Sequence, residues 1–409
     1  MATHSPEINR EAQIQEFLTR GVQQVLPSQE SLVTQLRSGR ILKAYMGIDP
    51  TAPELHIGHV SQLHKLERLR RMGHDVTLLI GDFTGMIGDP TDKSAARVKL
   101  SPEQVAYNAA TYKDQASKIL NFDDPINPIR LKFNSEWLGE MNFEDVLELA
   151  SEMTVQRMLE RDMFERRIQK GEPVRIHEFL YPLMQGWDSV KLDVDIEVGG
   201  NDQIFNMMVG RDLVEKYLGK EKYVVAGKLL TDPSGRKIGK TEGNMVAVLD
   251  TPESMYHKVM MWGDQIVPHA LELCTTVPMD QIRELEEALQ RGDENPVKAK
   301  MFLARRIVSE LQSPEAAEQA ERAYLALSSG GLLGTVAEAN FSPGTPLIDI
   351  LTKGGFAPSR AAAKRLIEQG GVRFNLSTIT DPKTVVKSPG MLQVGKRIQN
   401  SFLKINIEK

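Results

Sequence analysis

Apolar and polar positions along the chain switch between two periods. Leu42 to Asp49 alternates with period two and predicts a strand, which breaks at Asp49-Pro50-Thr51-Ala52-Pro53, a run of turn residues. Val60, Leu63, Leu66, Leu69 and Met72 then follow helical spacing, and Gly73 stands where helices commonly stop. The mostly apolar run Val76-Thr77-Leu78-Leu79-Ile80 predicts a strand buried on both faces. Strand, helix, strand is a βαβ unit. The N-terminal half, after a helical-looking start, therefore predicts an α/β fold built on a doubly wound parallel sheet.

Residues 102–170 are mostly helical and charged, with an amphipathic stretch over 143–171. Alternation returns over 192–198 and runs into Gly199-Gly200-Asn201-Asp202-Gln203. A helix to Tyr217, a strand over 223–230 and the tight turn Asp232-Pro233-Ser234-Gly235 follow. Residues 251–328 again have helical character, rich in Glu, Ala and Leu. Ser328-Ser329-Gly330-Gly331 and Ser342-Pro343-Gly344 bracket a linker. The expected organisation is an α/β domain over 1–250 with a helical insertion at about 121–191, a helical domain over 251–330, a linker over 331–345 and a small domain over 346–409.

Composition narrows the class. The 409 residues are 41% hydrophobic and 26% charged, with a mean hydropathy of −0.30, which excludes collagen and low-complexity disorder. No apolar run approaches the ~18–20 residues of a membrane span, and the polar N-terminus does not resemble a signal peptide. Cys274 is the single cysteine, so neither an internal disulfide nor a cysteine-rich metal site is expected. A cytoplasmic protein is the expectation. The net charge of −5 is unevenly spread: residues 343–409 carry eleven Lys or Arg against four acids, a net +7. A basic module on an acidic body suggests that one part meets a polyanion.

Two segments carry the chemistry. His56-Ile57-Gly58-His59 sits where the first strand and turn feed the first helix, the place where such sheets bind phosphates. Gly58 permits close backbone approach, and two imidazoles three apart share a helix face. Far downstream, Arg236-Lys237-Ile238-Gly239-Lys240-Thr241 places two lysines on a glycine-containing loop, where they can neutralise phosphates. Alone, each has a bland reading: capping histidines and a solvated basic turn. Together they resemble the HIGH and KMSKS signatures of class I aminoacyl-tRNA synthetases. Tyr45 to Ala52, the Ile87-Gly88-Asp89-Pro90 turn, Tyr181-Pro182-Leu183-Met184-Gln185-Gly186-Trp187-Asp188 and Gly199 to Gln203 narrow the resemblance to the bacterial-type tyrosyl-tRNA synthetase family. It covers nearly the whole chain, in order and spacing. Ile238, Gly239 and Thr241 depart from the KMSKS letters, and Trp187 replaces a smaller aromatic.

The resemblance implies a Rossmann-like catalytic domain with a helical insertion, an all-α tRNA-binding domain and a small α+β S-four-type RNA-binding domain. It implies activation of L-tyrosine by ATP, with Mg2+ accompanying the nucleotide, then transfer to tRNA(Tyr). His56, His59 and Thr51 would meet the ATP phosphates, with Gly58, Gly200 and Asp202 completing the nucleotide site. Lys237, Lys240 and Thr241, together with Lys93 and Arg97, would gather around the pyrophosphate. Asp89, Tyr181, Gln185 and Gln203 would surround the substrate ammonium, while Tyr45 and Asp188 meet the phenol. Arg360, Lys364 and Arg365 would contact RNA, no dedicated metal site is expected, and the insertion would form a homodimer interface. Tryptophanyl-tRNA synthetase, a small-molecule nucleotidyltransferase and an inactive RNA-binding paralogue are the alternatives. The Tyr45/Asp188 pair, the lysine loop and intact His56 and His59 weigh against them in turn.

Overall fold

The computed structural model describes residues 6–89, 100–232, 235, 237–238, 245–328, 337–342, 344–374, 377–386, 390–394 and 401–407. They fall into two compact units, Met1–Thr251 with Lys258–Ala317, and Pro252–His257 with Glu318–Lys409.

The first unit is built on a six-stranded sheet. Its strands are β1 (Val22–Leu26), β2 (Lys43–Ile48), β3 (Asp75–Ile80), β4 (Arg130–Phe133), β5 (Ile196–Gly200) and β6 (Tyr223–Gly227), in the order β1-β6-β5-β2-β3-β4. All neighbours are parallel except β1, which runs antiparallel along β6. Val76, Leu78, Leu79 and Ile80 are buried, as a strand covered on both faces requires. The helix Ile57–Arg71 crosses from β2 to β3 with Val60, Leu63, Leu66 and Leu69 all buried. Truncating one such leucine to alanine costs about 2–5 kcal/mol. Gly73 follows with a φ of +87°, the left-handed stop that the sequence suggested.

Four expectations change within this unit. The helical-looking N-terminus contains β1, whose five residues gain their partner only at β6. The strand expected over 192–198 begins at Ile196, because the helix Ile176–Lys191 runs up to it and Asp193 turns the chain at φ +49°. The strand expected over 223–230 stops at Gly227. The insertion expected over 121–191 is not wholly helical, since β4 extends the sheet beside β3.

Arg20 ties the start of this unit to its end. It is buried, and its guanidinium enters the carbonyl end of the helix Val267–Cys274. Nε donates to Glu272 O (2.9 Å), Nη2 to Leu271 O (3.1 Å) and Thr275 O (2.6 Å), and Nη1 to Val277 O (2.7 Å). A cation there satisfies orphan carbonyls and opposes the negative helix end.

The second unit holds β7 (Ala337–Phe341), β8 (Thr345–Pro346), β9 (Val372–Phe374), β10 (Ser377–Ile379), β11 (Val385–Val386), β12 (Gly390–Val394) and β13 (Ser401–Ile407). Five of them form a sheet in the order β10-β9-β12-β13-β7, and β11 pairs with β8. Part of the expected linker is thus strand: β7 pairs in parallel with β13, a partner some 60 residues on that local sequence does not reveal. The helices Leu347–Lys353 and Arg360–Glu368 bury Leu347, Ile350, Leu351, Ala363 and Ile367 in one core. Ser359 caps the second helix by accepting from Ala362 N at 3.2 Å.

Candidate active site

β2, β3 and β5 end together at Ile48, Ile80 and Gly200, and the chain reverses its winding direction between β2 and β5. That crossover opens a crevice at the carboxyl ends of the strands. A cavity of about 250 Å³ lies there.

His56 and His59 sit at its rim for a local reason. His56 is the N-cap of the helix Ile57–Arg71. Its Nδ1 accepts from Gly58 N (3.1 Å), and His59 Nδ1 accepts from His56 N (3.1 Å). This reciprocal cap satisfies two orphan N–H groups and fixes both tautomers. Each Nδ1 is an acceptor, so each ring carries its proton on Nε2. The site gains two N–H donors beside a helix N-terminus, an arrangement suited to an anion. Thr51 lines the same space, on the exposed turn after β2.

Opposite them, Gly200 ends β5, where a Cβ would press on the Asp202 carboxylate and Leu229. Asp202 Oδ2 accepts from Lys237 Nζ at 2.5 Å, so the acid and the lysine-loop cation meet across the rim. Lys93, Arg97, Lys240 and Thr241 lie outside the described residues.

The inner end of the cavity is dry. Tyr45 is fully buried and Asp188 is 3% exposed. Tyr181, Gln185 and Asp188 project from the helix Ile176–Lys191, and their spacing of four and three residues keeps them on one face. Asp188 Oδ1 accepts from Trp137 Nε1 (2.8 Å) and Oδ2 from Asn134 Nδ2 (3.3 Å). Burial raises its carboxyl well above the usual carboxylate range; those two bonds oppose the shift, and the negative Asp49 and Glu197 reinforce it. Burial likewise raises the Tyr45 and Tyr181 phenols, beside Glu197 and Asp49 respectively.

Midway along, Tyr181 Oη donates to Asp49 Oδ2 (2.6 Å), and Thr84 Oγ1 donates to Asp49 Oδ1 (2.7 Å). Asp89 accepts from Gln203 Nε2 (2.6 Å) and from Arg161 Nη2 (3.3 Å). Asn206 Nδ2 donates to both Gln185 Oε1 (2.9 Å) and Gln203 Oε1 (3.0 Å). Among the described residues, the structure therefore brings Tyr45, Thr51, His56, Gly58, His59, Asp89, Tyr181, Gln185, Asp188, Gly200, Asp202, Gln203 and Lys237 to one cavity. It can take an aromatic polar side chain at its dry end, an ammonium in the middle and a polyphosphate at its rim.

Sequence reading missed Asp49, Asn134, Trp137, Arg161 and Glu197. Glu197 had a misleading signal, since it alternates with Asp193 and Asp195 as the polar positions of 192–198. Asn134 and Trp137 had none, because they follow an unrecognised β4. Arg360, Lys364 and Arg365 are elsewhere, exposed on the Arg360–Glu368 helix of the second unit. Arg360 pairs there with Asp349, and Lys364 with Glu368 at 3.8 Å.

Residues 37–328 match the family described as tRNA synthetases class I (W and Y), and residues 345–392 match the S4 domain. The chain is 42% identical over 409 residues to the tyrosine–tRNA ligase of Carboxydothermus hydrogenoformans, covering 96% of this chain and 98% of that protein. It is 41% identical over 399 residues to the Moorella thermoacetica tyrosine–tRNA ligase, covering 96% and 95%. Among solved structures, a C-terminally truncated mitochondrial tyrosyl-tRNA synthetase from Coccidioides posadasii aligns with a TM-score of 0.60 at 26% identity, covering 77% of this chain and 96% of that one. The Archaeoglobus fulgidus tyrosyl-tRNA synthetase complexed with L-tyrosine shares the fold, with a TM-score of 0.59 at 22% identity over 76% of this chain and 99% of that one.

Proposed function

The chain belongs to the class I tRNA synthetases of the W and Y family and is a tyrosine–tRNA ligase, and from that premise we propose how its cavity does the work. Tyrosine and ATP give tyrosyl-adenylate and pyrophosphate, and the tyrosyl group then passes to the 3′-terminal adenosine of tRNA. The attacking carboxylate is already an anion, so activation needs positioning and charge stabilisation, not a general base.

The observation that carries the proposal is the polarity of the cavity: Tyr45 and Asp188 at its buried end, His56 and His59 at its rim. Tyr45 and Asp188 take the phenol hydroxyl. Phenylalanine entering the same end would leave buried polar groups unpaired; this mode of rejection is the one for which the tyrosine enzyme is the standard example, at about 10⁵-fold without editing. Asp89, Tyr181, Gln185 and Gln203 hold the ammonium, which requires Asp89 to exchange part of its contact with Arg161 for the substrate. The Nε2–H donors of His56 and His59 meet the phosphates, with Thr51 and Gly58 beside them. Asp202 takes the ribose hydroxyls as Gly200 lets the backbone approach. Lys237, with Lys240, Thr241, Lys93 and Arg97, neutralises the departing pyrophosphate.

Magnesium enters as part of the MgATP substrate. Among the described residues no group of three or more His, Cys, Asp or Glu side chains could cage an ion.

The helices beyond Asp250 and the basic second unit serve tRNA, with Arg360, Lys364 and Arg365 meeting the RNA backbone. Phe143 (76% exposed) and Ile176 (81% exposed) supply apolar surface for a homodimer contact within the insertion. No helix among the described residues is long and apolar enough to cross a membrane, and the cytoplasm, where ATP and tRNA are, is the proposed location.

ATP–pyrophosphate exchange run with each standard amino acid tests the site. Tyrosine alone should support exchange. Exchange driven by tryptophan and not tyrosine would refute the assignment of the buried end.

A further inference from the structure

At the wall of the cavity lies an ion pair that none of these roles uses: Glu197 lines the cavity and Lys222 stands behind it. Glu197 on β5 is 2% exposed, and Lys222, just before β6, is fully buried. The ammonium donates to Glu197 Oε2 and to Met207 O (3.0 Å). A buried pair of charges is seldom more stable than apolar residues of the same volume, so its presence asks what else the carboxylate does.

Its remaining contacts lead to both ends of the tyrosine pocket. Glu197 Oε1 accepts from Gln185 Nε2 at 2.9 Å, so the Gln185 carbonyl oxygen turns towards Asn206, which donates to it at 2.9 Å. Glu197 Oε2 accepts from Ser189 Oγ at 3.4 Å, and Ser189 Oγ lies 2.8 Å from Tyr45 Oη. A carboxylate only accepts. The Ser189 proton therefore goes to Glu197, and the Tyr45 hydroxyl donates to Ser189. The helix Ile204–Leu218 leaves space for this network, since a Cβ on Gly210 would collide with Lys222 Nζ and press on Ser189 Oγ.

We propose that Lys222 and Glu197 form a positioning pair for tyrosine recognition. One buried carboxylate, neutralised by one buried ammonium, holds Gln185 at the ammonium end of the substrate and, through Ser189, Tyr45 at the phenol end. Neither residue touches the substrate phosphates. The proposal rests on the assignment of this cavity to tyrosine.

Pyrophosphate exchange in Glu197→Gln tests it. A neutral amide cannot accept from Gln185, Ser189 and Lys222 together, so the KM for tyrosine should rise about tenfold or more. The KM for ATP should stay within roughly twofold. Lys222→Met should act in the same direction. The double variant Glu197→Gln/Lys222→Met removes both charges and should recover thermal stability while the tyrosine KM stays raised. A purely structural pair predicts the opposite, a KM that recovers together with the Tm. Ser189→Ala keeps the ion pair and cuts only the phenol branch, so it should lower the tyrosine-to-phenylalanine ratio of kcat/KM and leave the KM for ATP alone. It and the double variant decide the matter if the single charge variants fail to fold. A wild-type tyrosine KM in folded Glu197→Gln or in the double variant overturns the pair's role, as does an unchanged selectivity ratio in Ser189→Ala. Loss of tyrosine-dependent exchange in the unaltered protein would instead bring down the pocket assignment itself.

Discussion

Replacing Tyr45 with phenylalanine removes one oxygen from the buried end of the cavity and almost nothing else. The ring packs with Leu79 and Val194, flanked by Trp137 and Leu192, and phenylalanine keeps all of those contacts. The oxygen itself lies 2.8 Å from Ser189 Oγ and 3.4 Å from Gln185 O. Ser189 retains Glu197 as its acceptor, so no donor is orphaned and the stability loss should be about 1 kcal/mol. With tyrosine bound, the variant loses one neutral hydrogen bond to the phenol, about 0.5–1.5 kcal/mol. With phenylalanine bound, it loses nothing. The ratio of kcat/KM for tyrosine over phenylalanine should therefore fall about two- to thirteenfold, since ~1.4 kcal/mol is tenfold in rate. Pyrophosphate exchange with each amino acid, in unaltered and variant protein at one temperature, measures that ratio directly. A ratio unchanged in a variant that melts within a few degrees of the unaltered protein would show that Tyr45 does not meet the phenol.

Three further outcomes follow from the same geometry. Asp188 has its folded-state pKa raised by burial, so the folded protein keeps that proton through a window above pH ~4 in which the unfolded chain has released it, and stability falls as pH rises through the window. Asp188→Asn removes that dependence: it should melt higher at neutral pH, with the gap closing towards pH ~4, while losing selectivity for tyrosine; a gap independent of pH in thermal melts would contradict the raised carboxyl. Lys237→Ala, which leaves Asp202 without its 2.5 Å partner, should slow adenylate formation about 10²–10³-fold in pre-steady-state assays with little change in tyrosine affinity, and an unchanged rate would make the lysine loop a surface turn. Truncation after Ser328 should spare pyrophosphate exchange but weaken aminoacylation and flatten the salt dependence of tRNA binding, whereas equal salt slopes would reduce the basic unit to a solvated appendage; the cut belongs there because one at Ser342 would strip β7 of its partner β13.

What could be read from sequence was what is encoded locally. The cap that starts the helix Ile57–Arg71 is set by His56 and His59, three positions apart, and β3 is a mostly apolar run. Tyr181, Gln185 and Asp188 could be placed on one face because helical spacing alone dictates it. What escaped needs a distant partner. β1 is ordinary sequence until β6 arrives about 200 residues later, β4 is four residues long, and β7 waits for β13. The same holds for the site: Trp137 and Asn134 reach Asp188 across more than 50 residues, and Lys222 finds Glu197 across 25. The family resemblance named groups that the fold gathers around one cavity. The groups that hold those in place came only with the fold.

Arg20 has a consequence in time. Its guanidinium is satisfied by carbonyls as far along the chain as Val277, 257 residues later. On a ribosome adding about 5–20 residues per second, those acceptors emerge some ~13–50 s after Arg20 itself. Through that interval a cation destined for full burial has only water and Glu16, one helical turn away, to meet it, and β1 still lacks β6. The nascent N-terminus is therefore the last part of its own sheet to close. A chain arrested between Gly200 and Tyr223 would hold β2, β3 and β5, whose ends line most of the nucleotide crevice, yet leave its first strand unfastened, an unpaired segment that a protease can reach.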